Sequence, residues 1–215
     1  MDKLTLYIAN KNYSSWSFRP WMALTAAGID FEELLIPFDY PAGNPEIKAV
    51  SPSGRVPLLQ HGSLKIWESF AIIEYVDELY PDAGLLPAGR AQRAVARAVS
   101  MEMASGFRAL RNACPMNIRR PKGKIALPQD VEADSLRIES IWRDLRQQSG
   151  GPFLFGRFSG ADAMFAPVVN RFDIYDLVAS SDTLDYIATM KAHPAWQKWE
   201  AAARVEPWIV PEDEV

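Results

Sequence analysis

The feature that most constrains this chain is a change in hydrophobic period part-way along it. Over residues 1–80, short apolar runs with strand-like spacing alternate with helix-like segments; beyond 81–89, apolar residues recur at three- and four-residue intervals. Leu4-Thr5-Leu6-Tyr7-Ile8 is a β-prone run followed by the polar turn Asn10-Lys11-Asn12. Ser17 reads as a helix N-cap that places Pro20 in the first turn, and Gly28 supplies the stop after Ala27. Residues 31–38 form a second strand of mixed polarity, and 44–50 a short helix closed by Ser51-Pro52-Ser53-Gly54. Residues 55–60 and 64–67 read as strands joined by a His61-Gly62-Ser63 turn. Ile72, Ile73, Val76 and Leu79 then mark one helix face that ends before Pro81.

The order β-α-β-α-β-β-α predicts a right-handed βαβ unit followed by a ββα unit. Together they make a four-stranded mixed sheet of the thioredoxin-like kind. Residues 81–89, rich in Pro, Gly and Ala, read as a linker. In the remainder, Val95, Val99, Met103, Phe107 and Leu110 share a helical spacing, as do Ile138, Ile141, Trp142 and Leu145. Met164, Phe165, Val168, Val169, Phe172 and Tyr175 form a broad apolar face, and Pro194 starts a last helix carrying Trp196 and Trp199. The expected architecture is an α/β thioredoxin-like domain over 1–80, a linker over 81–89 and an all-α domain over 90–215. A chain of 215 residues with 48% hydrophobic residues can bury such cores.

Several function classes drop out. With 23 basic against 27 acidic residues, the net charge of −4 does not favour nucleic acid or an anionic membrane as partner. The single Cys114 forms neither an intrachain disulfide nor a CxxC pair, which fits a reducing compartment. The amino terminus reads directly as a strand, so no signal peptide is expected, and no apolar run reaches the ~20 residues of a membrane span. A cytoplasmic location follows. There is no P-loop, GxGxxG or HExxH, and His61 and His193 are the only histidines. A metal site is not expected.

Three local features carry chemistry. In Tyr13-Ser14-Ser15-Trp16-Ser17, hydroxyls at a strand-to-helix junction point into the crevice where α/β sheets bind ligands; capping accounts for one serine and leaves two over. Val56-Pro57 stands at a strand start, as an edge-strand proline or as a cis bond exposing the preceding backbone. Glu68-Ser69 opens a helix, either as a simple cap or as a carboxylate site formed by free N–H groups and the Ser69 hydroxyl.

In this order and spacing, Ser14-Ser15-Trp16-Ser17-Phe18-Arg19, Val56-Pro57 and Glu68-Ser69 resemble the glutathione site of the glutathione transferase family. The resemblance extends over essentially the whole chain. Ser159 and Asp162 resemble the family's capping box before a core helix, with a folding role expected. The first motif is closest to the zeta class, S-S-C-x-W-R, with Trp16 in place of the cysteine and Phe18 in place of the tryptophan. The resemblance implies Ser14, with Ser15 beside it, as the catalytic hydroxyl. It also implies that the Val56 backbone before a cis Pro57 holds the cysteinyl part of glutathione, and that Glu68 and Ser69 hold its γ-glutamyl end. Glutathione is then the co-substrate, a small electrophile the partner, and the assembly a homodimer. The second substrate is expected between the domains, with Trp16, Met103, Phe107 and Arg111 as candidates by periodicity. Arg108, Arg111, Arg119, Arg120, Lys122 and Lys124 form a local basic cluster, read as a solvated face or as a receiver for an anionic substrate. Conjugation or peroxide reduction is the expected activity. A cis–trans isomerase of the maleylacetoacetate type and a non-enzymatic interaction module are the alternatives.

Overall fold

A computed structural model describes residues 2–177 and 180–215. The first half contains β1 (Leu4–Ile8), α1 (Ser15–Ala26), β2 (Glu32–Leu35), α2 (Pro45–Val50), β3 (Leu58–His61), β4 (Leu64–Trp67) and α3 (Ser69–Leu79). The four strands lie in the order β2-β1-β3-β4. β1 runs parallel to β2 and antiparallel to β3, and β3 runs antiparallel to β4, which gives the mixed sheet that the periodicity predicts. Leu4, Leu6 and Ile8 alternate inward along β1. β2 is mostly exposed because it is an edge strand, which explains its mixed polarity.

After a 3-10 turn at Pro81–Ala83 the chain is helical: α4 (Arg90–Ser105), α5 (Arg108–Ala113), α6 (Gln129–Ser149), α7 (Gly160–Ile174), α8 (Ser181–Ala192) and α9 (Pro194–Arg204). The Val95 to Leu110 spacing does not run through one helix. α4 ends at Ser105, and Phe107 adopts the left-handed region at φ 53° before α5 begins. A side chain on Gly106 would sit 2.7 Å from the Glu102 carbonyl oxygen, so the chain leaves the helix at a residue without one. Val95 points outward, while Val99 and Met103 are buried. α8, capped by the Ser180 hydroxyl, is an element that the apolar spacing did not single out.

The two halves meet through α1 and α7, which pack on each other more extensively than any other pair of elements. Both are buried on nearly every side, so neither shows a one-sided apolar stripe. α7 begins with the expected capping box between Ser159 and Asp162. The same carboxylate accepts the Leu154 N–H at 3.0 Å and the Tyr186 hydroxyl at 2.8 Å. Gly160 lets α7 approach α3 closely: a Cβ there would lie 2.6 Å from Ile73 Cγ2. Its N–H donates to the Leu85 carbonyl at 2.6 Å.

The last residues return to the first half. The Glu206 carboxylate accepts the N–H groups of Lys11 and Asn12 at 2.7 and 3.0 Å. Arg119 donates to the Trp208 carbonyl at 2.6 Å and also to that of Glu206, and Arg120 donates to that of Val215 at 2.9 Å. The Tyr13 hydroxyl donates to the Glu214 carboxylate.

Candidate active site

α1 starts three residues earlier than the Ser17 cap reading. Ser14 is its N-cap, accepting the Ser17 N–H at 3.4 Å, and Ser15 is its first residue. Ser17 is fully buried in the first turn, where its Oγ accepts the Ala9 N–H at 3.1 Å and the Ser14 hydroxyl at 2.7 Å. Pro20 therefore falls inside the helix and not in its first turn. It has no N–H to return to the Trp16 carbonyl. That oxygen accepts the Ser69 hydroxyl instead, at 2.8 Å, which ties the start of α3 to the first turn of α1.

Glu68 stands at the N-cap of α3 with φ 70°, a conformation uncommon outside glycine, and no side chain caps the helix. The first N–H groups of α3 therefore remain available to an anion. They face a cleft of about 190 Å³ lined by Trp16, Arg55, Val56, Pro57, Glu68, Ser69 and Arg111 among others. The Val56–Pro57 peptide bond is cis. A second cleft of about 430 Å³ adjoins it, sharing Trp16, Arg55, Val56 and Arg111, and extends past Ser14 and Ser15. The structure thus gathers Ser14, Ser15, Trp16, Val56, Pro57, Glu68, Ser69 and Arg111 around two connected clefts. Met103 and Phe107 line neither of them; both are buried in the core, on the inward face of α4 and at the α4–α5 break.

The basic cluster is dispersed. Arg119 and Arg120 hold the carboxy-terminal segment, and Lys122 pairs with Asp173 at 3.3 Å and with Asp176. Of that cluster only Arg111 borders the clefts. Other functional candidates escaped the sequence. Arg171 of α7 and Asp213 of the carboxy-terminal 3-10 turn both line the larger cleft. A charge amid the apolar run around Met164 to Tyr175 is the one sequence signal for Arg171, and Asp213 carries none.

The electrostatics of the larger cleft are set by burial. Arg171 is buried and donates to the carbonyls of Cys114 at 2.7 Å and Pro167 at 3.3 Å. Burial and repulsion from Arg111 push its guanidinium down to about 10. Arg19 is fully buried against the Trp16 ring at 4.1 Å, and Arg111 lies against the same ring at 4.9 Å. Burial, with repulsion from Arg171 and Arg111, holds Arg19 well below the usual guanidinium range. Asp213 is pushed up to about 6 by burial, against the pull of Arg171. Burial likewise pushes the Cys114 thiol up to about 11, which leaves it unreactive near neutral pH.

Residues 13–79 match the family model for the glutathione S-transferase N-terminal domain, and residues 127–202 that for the C-terminal domain. A probable maleylacetoacetate isomerase of Caenorhabditis elegans is 31% identical over 207 residues, spanning 90% of this chain and 94% of that one. A maleylacetoacetate isomerase of Mus musculus is 36% identical over 161 residues, 73% of each chain. Among solved structures, a glutathione transferase homologue from Burkholderia with bound glutathione superposes with a TM-score of 0.72. It shares 27% identity, over 95% of this chain and 99% of that one. A four-stranded mixed sheet joined to a helical domain matches the same family in sequence and in fold, and the chain belongs to the glutathione S-transferase family.

Proposed function

We propose that this glutathione transferase binds glutathione across the smaller cleft and activates its thiol with the Ser14 hydroxyl for transfer to a small electrophile in the larger one. The observation that carries this reading is the position of Ser14: N-cap of α1, lining the larger cleft, with its hydroxyl paired to a second, fully buried hydroxyl. Ser17, which already accepts the Ala9 N–H, can turn its own proton toward Ser14 and so release the Ser14 proton for a sulfur anion. The γ-glutamyl carboxylate goes to the uncapped N–H groups at the start of α3, because the Ser69 hydroxyl is engaged by the Trp16 carbonyl and offers only its lone pairs. The Val56 backbone takes the cysteinyl part, and Ser15 borders the thiol.

A free thiol has a pKa near ~8.5. One charge-assisted hydrogen bond of roughly 1.5–3 kcal/mol, at about 1.4 kcal/mol per unit, lowers it by about one to two units. The bound thiol then ionises near neutrality, and turnover rises as pH passes through that lowered value. Ser14→Ala should raise the thiol pKa in the binary complex by about one to two units, read from thiolate absorbance in a pH titration. An unchanged titration would remove Ser14 from the chemistry.

A second reading, a glutathione-dependent cis–trans isomerase, draws on the names of the relatives in worm and mouse. Turnover of a cis-dienoic acid with no loss of glutathione would favour it. A homodimer would cover the edge strand β4, where Leu64 and Trp67 are exposed, with Val95 and Met101 exposed on α4. A thiol co-substrate and a single buried cysteine suit the reducing cytoplasm.

A further inference from the structure

A catalytic hydroxyl has to be held within about 0.5 Å of its productive place. Where Ser14 stands is decided by residues 10–13, the loop that leads from β1 into α1. Connecting loops ordinarily run over the surface and are free to shift. This one is buried: Asn10 and Asn12 are fully covered, and Lys11 and Tyr13 are 8% and 4% exposed. Within the loop, the Asn10 carbonyl takes the N–H groups of Tyr13 and Ser14 at 3.1 and 2.8 Å. Its other bonds reach the second half of the chain. Glu206 accepts the N–H groups of Lys11 and Asn12 at 2.7 and 3.0 Å, and the Trp199 indole donates to the Lys11 carbonyl at 3.0 Å. The Asn12 side chain donates to Asn117 at 2.9 Å and accepts the Arg119 N–H at 2.8 Å.

Glu206 differs from the other partners in chemistry. Two N–H donors on successive residues fit the two oxygens of one carboxylate, whereas an amide would accept one and turn its own N–H against the other. Ser17 is held separately, by the Ala9 N–H, so the 2.7 Å pairing of the Ser14 and Ser17 hydroxyls depends on the loop delivering Ser14 in register. We infer that Glu206 is a positioning residue for the thiol-activating hydroxyl: by holding the N–H pair of Lys11 and Asn12, it fixes Ser14 in the pose that directs its proton at the sulfur of glutathione. The inference rests on the proposed role of Ser14 and adds the residue that sets it.

The test is the pKa of the glutathione thiol in the binary complex, read from thiolate absorbance, in wild type, Glu206→Gln, Ser14→Ala and the double variant. Glu206→Gln should raise it by about half a unit to one unit, a partial loss of the Ser14 hydrogen bond. Removing a negative charge would by itself favour the thiolate and lower the value, so a rise marks lost positioning. In the Ser14→Ala background the same substitution should add nothing, because its effect passes through Ser14. S-methylglutathione, which has no thiol proton, should bind wild type and Glu206→Gln with equal affinity by calorimetry. A purely structural role predicts a lower melting temperature with an unmoved thiol. That result, a lowered thiol pKa, or an equal rise in the Ser14→Ala background would overturn the inference. So would weakened binding of S-methylglutathione, because the loop would then serve the whole glutathione site. If Glu206→Gln does not fold, Glu206→Asp keeps both acceptors one methylene short, with the same rise expected and the same contrary outcomes. A thiol unmoved in Ser14→Ala would instead remove the serine reading, and this inference with it.

Discussion

At the scale of single residues, the site is governed by where protons and charges are forced to sit. Asp213 holds its proton more tightly in the folded protein than in the unfolded chain, because burial raises it to about 6 from the ordinary 3.8. Its contribution to stability is therefore fully present below the unfolded value and is lost as pH rises through about 6. Asp213→Asn removes that dependence. The melting temperature of the variant relative to wild type should climb between pH 4 and pH 7 and level off above; a difference flat across that range would contradict the assignment. Ser14, Glu68 and Ser69 were legible in the sequence because they occupy helix starts, where local rules fix what a side chain can reach. Arg171 and Asp213 were not, since what brings them to the larger cleft is an approach between chain segments far apart in sequence. Periodicity alone also misassigned Met103 and Phe107 to the substrate site: an apolar face tells that a residue is covered, but not by what.

At the scale of elements, boundaries are decided by local sterics that hydrophobic spacing does not register. The run from Val95 to Leu110 reads as one face, yet Gly106 and the left-handed Phe107 divide it. The start of α1 lies at Ser14 and not at Ser17 because three hydroxyl-bearing candidates, Ser14, Ser15 and Ser17, compete for the cap, and the Ser17 hydroxyl is taken up by the Ala9 N–H and by Ser14. The capping box at α7 was legible, since Ser159 and Asp162 satisfy one another within four residues. Its tight seat against α3 was not. Gly160→Ala would drive a methyl group into Ile73 and the Leu85 carbonyl. The expected cost is about 1–3 kcal/mol, seen as a lower urea midpoint with an unchanged slope. A midpoint at the wild-type value would show that α3 and the 81–89 segment can yield there.

At the scale of the whole molecule, the order of elements followed from the change of period, while their mutual placement did not. α1 and α7 bind the sheet half to the helical half, and the tail then crosses back to satisfy the Lys11 and Asn12 N–H groups through Glu206. Deleting residues 206–215 leaves those donors without their carboxylate. It should lower the melting temperature by roughly 6–24 °C, from two charge-assisted bonds in a chain of this size. Calorimetry should still show one transition, because the α1–α7 contact remains. Two separate transitions would mean that the tail, and not that contact, couples the halves.

The proline inside α1 has a consequence for how such chains diverge. Pro20 leaves a gap in one helix's ladder, and Ser69 fills it from another. A residue with an N–H at position 20 would compete for the Trp16 carbonyl, and the Ser69 proton would turn toward the ligand. Positions 20 and 69 are thus written in one shared alphabet, and lineages that rewrite the first letter are expected to revise the second.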